Sequence, residues 1–316
     1  MGTMRPKTLE QGITSLVNDI PDTVDLRAYY PHPDDRPLLG LPSAGRPLHP
    51  RLYVCEFCAT VILLVLGISS NVAIGSPLSP AGRFMAHYPA LLSACEGFLF
   101  GFSSTIAAFS PFGRVSGAHV SPSVSLAFAL GRRLAVTDMV FYMLVQIAGA
   151  LTGTALVALA GWIWPIWGTW CHADLFAATT PDPLSPTWWA AVGEAGTTAI
   201  LVGLLLFCGA KERLRPLTAW LAGPLFFLLN PFESWLSGDS TNLARSFGPA
   251  AFAGSWGGFW VYVVGPWCGV AIIVALVRLE VFGKVHLHEA RRAYFGHGGR
   301  APYFLHWPGR HRARTS

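Results

Sequence analysis

Charge is scarce in this chain of 316 residues: Asp, Glu, Lys and Arg make up 12%, about half of what a soluble domain carries. A soluble protein so poor in charge lacks the surface that keeps it in solution, which excludes an ordinary cytosolic enzyme. The same scarcity excludes a long disordered chain and a nucleic-acid binder. No apolar run occurs in residues 1–50, so no signal peptide is expected. Cysteine is limited to six residues, five of them in or beside apolar runs, where Cys behaves as a small hydrophobe. Cys55 and Cys58 have CxxC spacing but open an apolar segment, so neither a redox site nor a zinc site is read there, and no disulfide framework is indicated. A nucleophile–base pair, a phosphate-cradling glycine loop and a metal-ligand cluster are all missing. No chemical step, cofactor or metal is expected.

What the chain has is apolar residues, at 52%, with 12 Trp, 20 Phe and 33 Gly and a mean hydropathy of +0.45. This is the composition of a polytopic membrane protein. Six apolar segments read as spans: 54–74, 90–110, 139–160, 187–209, 216–231 and 258–279. Two shorter pieces, 121–130 and 242–251, cannot cross about 30 Å of hydrocarbon and read as re-entrant half-helices. Arg and Lys cluster before the first span, between the second and third, between the fourth and fifth, and after the sixth, whereas the 161–186 segment has none. The positive-inside rule then places both termini in the cytoplasm and 161–186 outside. Trp162, Trp164, Trp167, Trp170, Trp188 and Trp189 fit an aromatic belt at that outer face. Residues 1–50 read as a Pro-rich, disordered cytoplasmic arm, and 283–316 as a basic tail with His286, His288, His297, His306 and His311. Attraction to anionic lipid explains that tail more simply than metal binding or pH sensing.

The two halves repeat each other. Glu56, Thr60, Ile62 and Leu63 recur as Glu194, Thr198, Ile200 and Leu201, 138 residues on. Tyr142, Gln146 and Gly149 align with Tyr262, Pro266 and Gly269, 120 residues on, and Ser121 with Asn242 after 121. Repeat one covers about 51–160 and repeat two about 187–282, within a membrane domain of 51–282. Three spans per half is odd, so the second copy is inverted across the membrane, with its functional site near the midplane. The half-helices then meet by N-termini that carry free N–H groups and about half a positive charge each. A path between them suits small uncharged polar solutes and repels cations and protons.

Ser116, Gly117, Ala118 and His119, followed by Ser121, Pro122 and Ser123, resemble the first aquaporin signature, S-G-A-H-x-N-P-A. Asn242-Leu-Ala-Arg-Ser-Phe-Gly-Pro-Ala250 resembles the second, N-P-A-R-S-F-G-P-A, at eight of nine positions. The resemblance covers about residues 52–280 and implies an aquaporin-like channel: all-α, six transmembrane helices plus two re-entrant half-helices, assembled as a homotetramer in the plasma (inner) membrane, passing water or a small neutral solute. The half-helix starts depart from the family as Ser121, Pro122, Ser123 and Asn242, Leu243, Ala244. Ser121 can still cap its helix, but its hydroxyl replaces a fixed amide donor. The resemblance makes Arg245 the filter arginine and Glu56 and Glu194 the glutamates that hold the re-entrant loops. It makes the carbonyls of Gly117, Ala118, His119 and Val120 pore-lining. It also puts Asp239, Asn230 and either Phe100 or Gly101 at the remaining filter positions. Asp239 is expected either to pair with Arg245 or to point to the outer vestibule, unless the loop is shifted by one residue. Glu96 and Arg83 read as plain interfacial residues. Ser246, where glycerol conductors usually carry Asp, favours a water-type ancestry. Two other readings stay open: a proton-coupled transporter using Glu56 or Glu194, and a non-conducting structural protein.

Overall fold

The computed structural model describes residues 48–131, 133–211, 213–283 and 285. The proposed arm, and the tail with its histidines, lie outside the described residues. Eleven α-helices form among those described: α1 (Pro50–Gly75), α2 (Pro80–Met85), α3 (Pro89–Phe109), α4 (Pro111–Ser116), α5 (Pro122–Leu130), α6 (Val136–Ile163), α7 (Pro165–Ala173), α8 (Thr187–Ala210), α9 (Ala222–Glu233), α10 (Leu243–Ala253) and α11 (Val261–Arg278). Proline at a first turn opens six of them, α1 to α5 and α7, where its missing N–H has no partner to lose.

Five helices, α1, α3, α6, α8 and α11, are long and apolar enough to cross a membrane. The fifth expected span is broken. Residues 216–231 form a 3-10 turn at Arg215–Leu217 and the 12-residue helix α9, which at 1.5 Å per residue is about 18 Å long. The interruption falls at Thr218–Leu221, ahead of Gly223 and Pro224, two poor helix formers.

Each repeat pairs its first and third spans, α1 with α6 and α8 with α11, while α3 packs on α9 between the repeats. The half-helices cross over: α5 lies against α11 and α10 against α6. Small residues let the backbones approach. A Cβ on Gly101 would sit 2.5 Å from the Ala222 carbonyl oxygen, and one on Gly149 2.8 Å from that of Phe57. The start of α1 is tied to the first turn of α6, where Asp138 accepts from Tyr53 Oη at 2.5 Å and lies 3.1 Å from His49 Nδ1. Large apolar side chains face outward, Trp162, Ile163 and Trp164 among them, as a bilayer-facing surface requires.

Candidate functional site

The two half-helices begin inside the protein, each preceded by a loop of the same shape. Gly117, Ala118 and Val120 have φ of 89°, 53° and 45°; their partners 121 residues on, Gly238, Asp239 and Thr241, have 87°, 44° and 52°. The tethers repeat too. Tyr142 Oη donates to the Ser116 carbonyl at 2.8 Å and Tyr262 Oη to that of Ser237 at 2.6 Å. Ala118 N–H reaches Ser116 Oγ and Asp239 N–H reaches Ser237 Oγ, both at 3.2 Å. Left-handed conformations strain non-glycine residues, so the surroundings must hold them.

Glu56 and Glu194 supply that hold. Glu56 Oε1 accepts from Val120 N–H and from Gln146 Nε2 at 2.8 Å. Glu194 accepts from Ser240 N–H, Thr241 N–H and Ser237 Oγ, each at 2.7 Å. Both glutamates are fully buried, and backbone at this depth has no water to turn to. His119 packs, as expected of its side chain: it stacks on Phe128 at 4.8 Å, meets the edge of Tyr142 at 5.1 Å and lies 3.1 Å from Ser125 Oγ.

The half-helix starts differ. Asn242 Oδ1 accepts from the N–H groups of Ala244 and Arg245, at 3.1 and 3.4 Å, and Asn242 Nδ2 donates to the Val120 carbonyl at 2.8 Å. Ser121 makes no side-chain cap, contrary to expectation. Its short side chain lines the cavity between the half-helices, and the hydroxyl has no protein partner. Pro122 fills the first helical position with no N–H to cap, and Ser123 and Ala244 are buried in the packing. Leu243 takes proline's usual place and starts α10 without disturbing it.

The cavity measures about 40 Å³ and is lined by Phe100, Gly101, Ser121, Thr241, Asn242 and Arg245, with Leu63, Ser104, Val124, Leu201, Phe226 and Ser240 completing its wall. Arg245 Nη1 donates to the Ala177 carbonyl at 2.9 Å, and its guanidinium lies 4.5 Å from the centroid of the Phe100 ring, a cation–π arrangement. Two expected filter residues are elsewhere. Asp239 makes no ion pair with Arg245, nor does it point to a vestibule; its left-handed backbone turns the carboxyl toward Thr197, near Glu194 and Glu233. Asn230 spends its amide on the Ser93 carbonyl at 3.0 Å, tying α9 to α3; Phe226, one turn earlier, takes the wall. Gly117, Ala118, His119 and Val120 do not line this cavity, and the Val120 carbonyl is occupied by Asn242.

Sequence reasoning missed the segment after α7. Leu175, Phe176 and Ala177 are all left-handed, with φ of 50°, 56° and 54°, and this turn brings the Ala177 carbonyl to Arg245. Thr179 reaches Ser246 Oγ at 2.7 Å. A backbone carbonyl carries no side-chain signature, so nothing in the sequence marks Ala177. Asp174, on the same segment, faces Arg245 and Glu96, and burial pushes its carboxyl up to about 7 although Arg245 pulls it back. Glu96, one turn before Phe100 on α3, also faces Arg245; it is an inward-facing group, not a plain interfacial one. Glu96 could have been found from its i, i+4 spacing to Phe100.

Two halves of three spans, with half-helices meeting end to end around a narrow cavity lined by apolar side chains and a few convergent polar groups, define a membrane protein of the channel class. The chain belongs to the major intrinsic protein family, whose model matches residues 46–277. It is 30% identical over 242 residues to the probable aquaporin TIP2-2 of Oryza sativa subsp. japonica, covering 69% of this chain and 82% of that one. To aquaporin-4 of Mus musculus it is 30% identical over 243 residues, covering 76% and 70%. Among solved structures, the aquaglyceroporin from Plasmodium falciparum matches with a TM-score of 0.54 at 19% identity, over 72% of this chain and 94% of that one. That likeness concerns the fold. The family consists of channels, not enzymes.

Proposed function

We propose that this protein is a passive channel whose path carries water, in file, past Arg245 and Phe100 and between the two half-helix starts. The observation that carries the reading is the cavity of about 40 Å³ where Arg245, Asn242 and Ser121 converge. One water needs only about 10–15 Å³ of such space, so a few waters fit and a bulky solute does not. Asn242 keeps a second amide proton for a solute, and the Ser121 hydroxyl can donate or accept. The Arg245 charge and the two helix N-termini oppose cations and protons. From the cavity the path continues along the carbonyls of Gly117, Ala118 and His119. The names of the relatives, aquaporins, support the same reading.

The transporter reading loses its carriers: the carboxylates of Glu56 and Glu194 are engaged with loop N–H groups and neighbouring side chains. A homotetramer with both termini in the cytoplasm, in the plasma (inner) membrane, completes the proposal, each subunit with its own path. Stopped-flow shrinkage of proteoliposomes in an impermeant osmolyte tests it. Rapid shrinkage with a low activation energy is expected; rates equal to those of empty vesicles refute a water path.

A further inference from the structure

Behind the second re-entrant loop lie three carboxyl groups: Glu194 on α8, Glu233 at the end of α9, and Asp239 on the loop. All are buried, at 0%, 6% and 5% exposure. Neither oxygen of Asp239 has a hydrogen-bond partner, and neither does Glu233 Oε2. The donors nearby are few. Thr197, which faces Asp239, directs its hydroxyl to the carbonyls of Gly193 and Glu194 at 3.2 and 3.4 Å. Tyr262 Oη is committed to the Ser237 carbonyl. Arg245 on α10 acts on Asp239 only through its field, and Glu96 on α3 shares that field.

Ser237 is the hinge of the cluster. Its Oγ lies 2.7 Å from Glu194 Oε1 and 2.5 Å from Glu233 Oε1, but a hydroxyl has one proton to give. Glu194 is the ionised acceptor, since two loop N–H groups already point at it. A second carboxylate against the same oxygen would compete with Glu194 for that one proton, with only the Asp239 N–H, already turned to Ser237 Oγ, beside it. All the bonds close if Glu233 carries a proton and donates to Ser237 Oγ. Ser237 then accepts from Glu233 and from Asp239 N–H and donates to Glu194, which uses its full capacity.

We propose that Glu233, Ser237 and Glu194, with Asp239 as their buried neighbour, form a proton-binding site that couples pH to the loop 237–242 and hence to the filter. The inference rests on the channel reading for its flux consequence, though not for the site itself. Taking up H⁺ from solution converts the Glu233 carboxylate to a neutral acid and closes the bond chain that holds Ser240 and Thr241. Releasing it sets two carboxylates against one hydroxyl, and their repulsion draws Glu194 off the loop N–H groups. Water flux therefore falls as pH rises.

The test is proteoliposome water permeability over a pH series, together with infrared difference spectra of the same samples. The parent is expected to lose flux several-fold on alkalinisation and to show the carbonyl stretch of a protonated carboxyl that persists well above pH 7, where Asp174 is already ionised. Glu233→Gln, whose amide donates to Ser237 as the acid does, is expected to hold the low-pH flux throughout and to lack that band. A parent flux that ignores pH, or a Glu233→Gln profile identical to the parent's, overturns the coupling. Flux equal to empty vesicles at every pH would refute the channel reading instead, and the infrared band would still decide the site. If Glu233→Gln does not fold, the parent spectrum decides alone: no protonated carboxyl, no site.

Discussion

The two loop-holding glutamates are not equally replaceable, and their hydrogen bonds say by how much. Glu194 uses both oxygens: Oε1 accepts from Ser240 N–H and Ser237 Oγ, and Oε2 accepts from Thr241 N–H. Glutamine keeps one acceptor. With its oxygen at the Oε1 place it retains two bonds and turns an NH₂ group on Thr241 N–H. The loss is one bond to a charged acceptor, about 1.5–3 kcal/mol. Glu56 accepts its close bonds from Val120 N–H and Gln146 Nε2 at Oε1, with Ser116 and the His119 N–H also facing the carboxyl, and its Oε2 has no close partner. Glutamine there can put its NH₂ at Oε2 and keep both bonds, giving up only charge assistance, about 1 kcal/mol. For a domain of this size each kcal/mol moves the melting midpoint by roughly 2–4 °C. Glu194→Gln is expected to melt roughly 3–12 °C below the parent in detergent, and Glu56→Gln less than about 4 °C below. Thermal unfolding of the purified variants, followed by tryptophan fluorescence, measures both. If Glu56→Gln melts at or below Glu194→Gln, the oxygens do not carry the loops as described.

Four further outcomes are expected. Arg245→Val should raise proton or cation leak in liposomes while keeping water flux, because it removes the formal positive charge lining the cavity; parent-level leak would remove Arg245 from a working path. Asn242→Ala should cost about 1 kcal/mol for the cap and a further 1–3 kcal/mol for the stranded Val120 carbonyl, read as folded yield and melting midpoint; a neutral effect would contradict the bridge between the half-helices. Asp174, pushed from 3.8 up to about 7, binds its proton more tightly folded than unfolded, so its contribution is full below about pH 4 and is lost as pH rises to about 7. The stability advantage of Asp174→Asn over the parent should grow across that window, and a pH-independent difference in midpoints would refute the assignment. For orientation, native Cys171 is a poor probe at 1% exposure, whereas Leu184 is 93% exposed; Leu184→Cys should label from outside intact cells with an impermeant thiol reagent, and labelling only after lysis would invert the topology.

Spans and half-helices were legible in the sequence because apolar runs are long-range averages that survive local errors. The bounds of five helices fall within a few residues of the apolar segments, the fifth expected span being the exception, and the 121-residue offset between Ser121 and Asn242 returns as matched backbone angles in both loops. What failed depended on single side-chain directions. Asp239 has the right chain position for a filter, but a residue with φ of 44° points where the turn sends it. Asn230 fits the filter spacing, yet its α9 is a shortened helix pressed on α3, and a close approach there makes its amide a packing bond. Phe100 and Gly101 were indistinguishable by spacing and both line the cavity, the first by its ring and the second by the bare backbone that admits α9. The break before α9 stood in plain sight as Gly223 and Pro224, but composition over a window hides it.

The two motif departures act unequally on a water path. Leu243 replaces a residue whose contribution is backbone geometry, and α10 keeps its start because Asn242 caps it. Ser121 replaces a residue whose contribution is a donor fixed in direction, and no neighbour replaces that donor. One end of the meeting point is therefore set by an amide bonded on both sides, and the other by a hydroxyl that rotates. A fixed donor at each end would orient a passing water so that it cannot hold proton-conducting bonds to both neighbours; a rotating one can follow the water and accept as well as donate. The barrier to protons on the first-repeat side then rests on the α5 dipole alone. On the second-repeat side it rests on Arg245, whose charge Glu96 and Asp174 offset whenever they are ionised. As pH rises through about 7 and Asp174 loses its proton, the positive field at the mouth weakens, and cation exclusion is at its strongest in mildly acidic solution.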